Sequence, residues 1–243
     1  MEYSFIIIPV LIILAFLYSS VGHGGASGYL GMMVLLNVNP SIMKSSALVL
    51  NILVSAIATY QFYTAGYFRK NLFVPFIISS IPFTFIGSKI SIPDQAYKII
   101  LGICLLAAVL RLVINIDTEY PEKKTLPFPI ALIIGALIGL ISGLIGIGGG
   151  ILLTPLLLLF KWSDVKEAAA ISAPFILVNS IAGIIGLSSS GIHLTNEIVL
   201  WTGSVAIGGL AGSYWGSHKF NQKILKYILA TVLVIAATKL FIN

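Results

Sequence analysis

Two clusters of glycine carry the chemistry that this chain's residue types can offer. Gly22, Gly24, Gly25, Gly28 and Gly31 interrupt one apolar stretch, and Gly146, Gly148, Gly149 and Gly150 interrupt another. Each glycine costs a helix about 1 kcal/mol relative to alanine, so runs this dense break it. Unpaired backbone cannot face lipid, and a break of this kind must be buried in protein or line a wet cavity. The half-helix that follows begins with free N–H groups and the positive end of its dipole, which favour an anion. The predicted starts are near Ser27 and Ile151, with Thr154 one turn further in. Two such ends meeting near the midplane make an anion site of the kind found in secondary transporters. The candidate substrate-binding residues are therefore Gly22, His23, Gly24, Gly25, Ser27, Asn51, Gly146, Gly148, Gly149, Gly150, Thr154 and Asn179.

His23 is the only titratable group in either break, and Ile147 stands at the matching place in the other. An ionisable residue at membrane depth is a functional candidate by default, and imidazole titrates near neutral pH. Two readings stand side by side: a group that carries a coupling proton or binds the anion when protonated, and a neutral ring bonded to backbone. Asn51, Gln61 and Asn179 are uncharged amides in apolar surroundings that line a pathway or clamp helices, with Asn51 and Asn179 assigned to the pathway. Ser172 and Pro174 mark a second expected irregularity. Gly135, Gly139 and Gly143, like Gly208, Gly212 and Gly216, keep the four-residue spacing of a close-packing stripe. The run 25–28, Gly-Ala-Ser-Gly, also fits the GxSG pattern of intramembrane serine proteases. That chemistry needs a histidine base from another helix. His193 and His218 fall at segment ends and are expected to be solvated, so catalysis is the weaker alternative, and a passive anion channel is the other. No cysteine or histidine cluster indicates a metal, no phosphate loop indicates a pump, and no cofactor is expected.

The elements that must hold these residues are membrane helices. The chain has 243 residues, 58% hydrophobic and 9% charged, against about 25% charged in a soluble domain. That excludes a soluble catalytic domain and leaves the lipid bilayer as the surrounding medium. The formal charge of +6 reflects loop lysines and arginines that set orientation, and no nucleic acid partner is expected. Cys104 rules out a disulfide within the chain. The apolar stretch after Glu2 has no basic region before it and contains Pro9, so it reads as a first membrane segment rather than a signal peptide. Apolar segments fall at about 4–20, 28–37, 46–64, 71–91, 97–116, 128–145, 150–160, 167–188, 197–216 and 223–242.

The hydrophilic stretch around Asp117, Glu119, Glu122, Lys123 and Lys124 divides the chain. It separates a first membrane repeat at 1–116, a linker at 117–127 and a second repeat at 128–243. Residues 21–26 lie over 145–150, Gly66 over Gly191, Asn71 over Asn196, Gly87 over Gly212 and Lys98 over Lys223. If the chain turns back at each break, Arg69, Lys70, Arg111, Lys123, Lys124, Lys161, Lys166, Lys219, Lys223 and Lys226 share one face. Lys44, Lys89, Lys98 and Lys239 take the other. That bias satisfies the positive-inside rule better than two broken crossing helices do. It implies inverted repeats with both termini on the non-cytoplasmic side. Trp162, Trp201, Trp215, Tyr63 and Tyr67 lie near segment ends, where interfacial anchors sit. The expected class is an all-α, multi-pass protein of the cell membrane, and a homo-oligomer stays open.

The breaks carry a family resemblance. The runs Ser20-Val-Gly-His-Gly-Gly-Ala and Ser142-Gly-Leu-Ile-Gly-Ile-Gly-Gly-Gly, the second followed by Leu-Leu-Thr-Pro155, resemble the TauE/SafE sulfite exporters. So do Ala168-Ala-Ala-Ile-Ser-Ala-Pro174 and Asn179-Ser-Ile-Ala-Gly183. The likeness covers essentially the whole chain. Gly31 stands where the second half has Pro155, and His23 is particular to the first break. The resemblance implies transport of a small anion, often a sulfur oxyanion or organosulfonate, without an ATP-binding domain.

Overall fold

Helices coincide with the predicted apolar runs, and glycine, proline and capping side chains decide where they stop. The computed structural model describes residues 4–36, 38, 40–90, 93, 95, 96, 99, 123–188, 191–221, 223, 224, 227, 228 and 231. The first half contributes α1 (Ser4–Ser20), α2 (Ala26–Leu35), α3 (Pro40–Thr64) and α4 (Lys70–Lys89). The second contributes α5 (Phe128–Ile145), α6 (Gly150–Leu159), α7 (Val165–Leu187) and α8 (Ile198–Tyr214), and a π-helical turn at Trp215–Lys219 continues α8. No strand occurs among the described residues. Five of these helices are long and apolar enough to cross a membrane, while α1 and α6 are shorter apolar pieces. Most of the predicted segment at 97–116, with Cys104, most of 223–242 and most of the linker lie outside the described residues.

Helix ends have local causes. Pro127 precedes α5, which ends at Gly146 in the left-handed region (φ 83°), where the Gly146 N–H donates to Ser142 O at 2.7 Å. At the start of α7 the Asp164 carboxylate accepts from the Glu167 N–H at 2.9 Å, and the Glu167 carboxylate accepts from the Asp164 N–H at 3.2 Å. This reciprocal cap satisfies two donors that would otherwise be orphaned. The irregularity expected at Ser172 and Pro174 is absent, because α7 runs through both without interruption. It is the most enclosed of the five long helices, and neighbours can hold a proline-containing helix straight.

The two glycine stripes set the packing. A Cβ on Gly135, Gly139 or Gly143 would collide with the backbone of Phe76, Ser80 or Thr84 respectively. The order is the same on both helices, so α5 lies against α4 and parallel to it. Gly208, Gly212 and Gly216 meet Ile12, Phe16 and Ser20 in the same manner, which puts α8 parallel to α1. At the centre α3 and α7 run antiparallel: Leu48 faces Gly183, while Phe62 at the other end of α3 clusters with Ala169 and Ala170. Arg69, Thr84 and Ser88 meet Glu167, Asn179 and Gly186 in order, so α4 is parallel to α7.

These directions show what the chain does at each break. α5 and α7 are both parallel to α4, yet α6 runs against α7, with Gly150 beside Ile176 and Thr154 beside Ser172. The chain therefore turns back at 146–149. In the first half, Ser46 bonds the Thr195 N–H and Val54 contacts Gly209, so α3 runs with α8 and hence with α1. The chain turns back between α1 and α3 as well.

One end of the bundle is basic. Lys123 bonds Asp164 at 3.1 Å and Glu167 at 2.8 Å, and Arg69 pairs with Glu167 at 3.5 Å. The Lys124 N–H donates to Lys161 O at 2.9 Å, and Lys166 donates to the Tyr67 hydroxyl and to Ser217 O. Partial burial opposes the Lys123 charge, but its hydrogen bonds to Glu167 and Asp164 hold the ammonium above its ordinary value. Lys44 lies away from this end and donates to Ser88 O at 3.2 Å. The aromatic expectation needs correction. Trp215 and Tyr63 are exposed to the surroundings, but Trp162 and Trp201 are buried. Trp162 stacks on Phe160, and Trp201 donates to Glu197, so both serve as packing residues near helix ends.

Candidate functional site

Each break uses positive φ angles that side-chain-bearing residues rarely adopt. In the first, Gly22 has φ 75° and Gly25 has φ 97°. Gly22 also presses on the backbone of Ala169, and a Cβ there would collide with it. In the second, Gly146, Gly148 and Gly149 have φ of 83°, 74° and 80°. The half-helices α2 and α6 then begin at Ala26 and Gly150, one residue ahead of the predicted starts.

Asn51, midway along α3, joins the two breaks. Its Oδ1 accepts from the Ala26 N–H at 3.0 Å, and its Nδ2 donates to Ile147 O at 3.2 Å. Gly24 and Gly148 both lie against this amide. Ile176 of α7 fills the remaining space, touching Gly24, Gly148 and Gly150. The starts of both half-helices thus converge on α3 and α7 in the interior.

The backbone donors of the two starts differ in how they are spent. In the first break the N–H groups of Val21, Gly22 and His23 bond carbonyls of α1, that of Ala26 is taken by Asn51, and those of Gly24, Gly25 and Ser27 donate to no group among the described residues. In the second, the N–H groups of Gly148, Gly149, Gly150 and Ile151 donate to no group among the described residues.

The predicted side chains take distinct positions. His23 is buried, its Nδ1 donates to Val21 O at 3.0 Å, its ring faces the Gly150 backbone, and its Nε2 has no partner among the described residues. It therefore reaches from the first break to the second. Ser27 donates to the Tyr18 hydroxyl at 2.8 Å. No histidine bonds Ser27 among the described residues, so the protease reading of the Gly25–Gly28 run has no support here. Thr154 shares a 2.6 Å hydrogen bond with Ser172. Asn179 donates to Phe175 O of its own helix and accepts from Thr84, both at 2.9 Å. It clamps α4 to α7 and does not touch either glycine run, unlike Asn51. Gln61 lies in the last turn of α3, away from the breaks.

Several residues here went unnoticed in the sequence. Ile176 looked like any apolar residue of a membrane segment. Ser142 and Ser180 are fully buried, and their hydroxyls have no partner among the described residues. Their only sequence signal is a position inside the motif runs that carry the family resemblance. The Tyr29 hydroxyl, also unpartnered, lies on Gly25. No group of histidine, cysteine and acidic residues among the described residues could hold a metal ion.

Residues 7–240 match the family described as Sulfite exporter TauE/SafE. The chain is 36% identical over 238 residues to the probable membrane transporter protein y4hK of Sinorhizobium fredii, covering 94% of each chain. It is 24% identical over 236 residues to the probable membrane transporter protein YjnA of Bacillus subtilis, covering 90% of this chain and 92% of that one. A second Bacillus subtilis protein of that description, YunE, is 24% identical over 276 residues, with 98% and 97% covered. No solved structure matches the chain.

Proposed function

This chain belongs to the TauE/SafE sulfite exporter family of membrane transporters, and on that premise we propose that it carries a small anion by alternating access around its paired glycine breaks. The substrate class is a sulfur oxyanion or organosulfonate, and no covalent chemistry is performed on it. The observation that carries this reading is the Asn51 bridge. One side chain ties the start of α2 to the second break, so two positive helix ends share one buried polar centre. The predicted side chains His23, Ser27, Asn51 and Thr154 are buried, as is Asn179 on α7 away from the breaks. Burial of these side chains favours a carrier over an open pore.

The helix directions support repeats of inverted topology at 1–116 and 128–243. In each half the first and third helices run together and the fourth runs back, and the two halves point opposite ways. This is the arrangement that lets a carrier rock about a fixed central site. The basic end is cytoplasmic by the positive-inside rule, which leaves both termini outside in the plasma or inner membrane. His23 is the proton carrier of this scheme, since its Nε2 lies buried at the meeting of the breaks, with no side-chain partner among the described residues, and can take a proton as the anion arrives.

Counterflow in proteoliposomes tests the function. Preloaded sulfite, thiosulfate or ethanesulfonate should drive saturable uptake of its labelled form, and Gly148→Leu and Gly24→Leu should abolish it. Absence of saturable flux for all three anions would overturn the assignment.

A further inference from the structure

Within the transport reading above, we propose that the oxyanion is held on the second break, by the hydroxyls of Ser142 and Ser180 together with the backbone N–H groups that start α6. Two independent observations meet there. The first is the row of unspent donors from Gly148 to Ile151. The second is a pair of fully buried serines whose hydroxyls have no partner among the described residues, each set against a glycine of that row. Ser180 Oγ lies 3.0 Å from where a Cβ on Gly148 would stand, and Ser142 Cβ lies 3.4 Å from the same point on Gly149. The serines come from α7 and α5, so they approach the row from two helices.

Buried hydroxyls without a partner are uncommon, and the other helical serines here show the usual remedy. Ser55, Ser204, Ser213 and Ser217 each donate to the carbonyl four residues back. Ser142 and Ser180 do not. Ser80 is also unpartnered, but it sits beside Gly139 at the α4–α5 contact, away from either break. The first break offers a smaller set among the described residues: Asn51 takes the Ala26 N–H, Tyr18 takes the Ser27 hydroxyl, and the Tyr29 hydroxyl stands against Gly25. The two halves are thus alike in path and differ in the side chains set beside their amides.

The donor set defines the ligand. Two hydroxyls and a run of amides suit an anion with three acceptor oxygens spread around one centre. A sulfite or sulfonate headgroup has them, and a carboxylate has two in a plane. Ethanesulfonate should therefore compete with sulfite, and propionate, of similar length, should not.

The experiment is sulfite uptake by proteoliposomes containing wild type, Ser142→Ala, Ser180→Ala and, as a control remote from the breaks, Ser204→Ala. Each hydroxyl donates to a charged ligand, so each loss should raise KM roughly tenfold or more, with the maximal rate and thermal midpoint kept. The sulfite-induced rise in the thermal midpoint in detergent should shrink in the same two variants, and Ser204→Ala should behave as wild type. If wild type transports sulfite and both variants keep its KM and its thermal shift, the donor set is wrong and the transporter reading stands. If wild type is neither crossed nor stabilised by sulfite, thiosulfate or ethanesulfonate, both fall.

Discussion

Asn51 donates through Nδ2 to the carbonyl of Ile147 at 3.2 Å, although 96 positions of chain separate them. The same amide accepts from Ala26 on its other side. The geometry of the two breaks is therefore common property: neither can move relative to α3 without losing a hydrogen bond.

Replacing Asn51 by alanine should be costly for that reason. It leaves the Ala26 N–H and the Ile147 carbonyl buried and unpaired, at about 1–3 kcal/mol each. We expect a clear fall in the thermal midpoint in detergent and at least a tenfold loss of anion flux. Asn179→Ala should lower stability through the Thr84 contact with a smaller effect on KM. Equal KM effects from the two would contradict the division of roles.

Proton coupling can be read through His23. A pH gradient should accelerate anion flux in wild type, and His23→Gln should abolish that acceleration while counterflow persists. Gradient-driven flux unchanged in His23→Gln would remove the imidazole from the coupling role.

The glycine stripes predict a position-dependent pattern on single helices. On α8, Gly212→Ala would push a Cβ into the backbone of Phe16, whereas Gly203→Ala meets nothing within 4 Å. The first should destabilise by about 1–3 kcal/mol through overpacking. The second should be neutral or slightly stabilising, since alanine is favoured over glycine in a helix by about 1 kcal/mol. Gly139→Ala on α5 should follow Gly212→Ala, because it meets Ser80 in the same manner. Thermal unfolding in one detergent checks all three.

The basic end offers a pH test. The Lys123 ammonium is held above its ordinary value of 10.5 by Glu167 and Asp164, against the opposing effect of burial. A raised lysine pKa means the folded state binds the proton more tightly than the unfolded state. The stabilisation is thus fully present below pH 10.5 and is lost as pH climbs through the raised value. Because the lysine is substantially exposed, the contribution should be about 0.2–1 kcal/mol and salt-sensitive. The difference in thermal midpoint between wild type and Lys123→Gln should hold from neutral pH to about 10 and shrink above it.

Orientation is the last prediction. A reporter fused after Asn243 should be active only on the non-cytoplasmic side, and one inserted beside Lys124 only on the cytoplasmic side. The opposite pattern would invert the assignment of the basic end.

Much of this protein is written in local physics. Low charge and long apolar runs force membrane helices wherever they occur in a chain, because a bilayer leaves backbone no other partner. Dense glycines break helices regardless of their neighbours, so both breaks and the starts of α2 and α6 could be read to within a residue. The four-residue glycine spacing marked Gly135, Gly139 and Gly143 as a contact stripe for a similar reason, since spacing along one helix decides what shares a face. What these stripes touch is another matter. That α5 chose α4, and α8 chose α1, depends on how the helices cross. So does the difference between Asn51 and Asn179, two amides in similar apolar surroundings. One reaches both breaks, while the other is consumed by Thr84 and its own helix. Ser142, Ser180 and Ile176 became visible only when α5, α7 and the second break were brought together. Hydrogen bonds and steric fit act over a few ångströms, and only the folded chain sets which residues come that close.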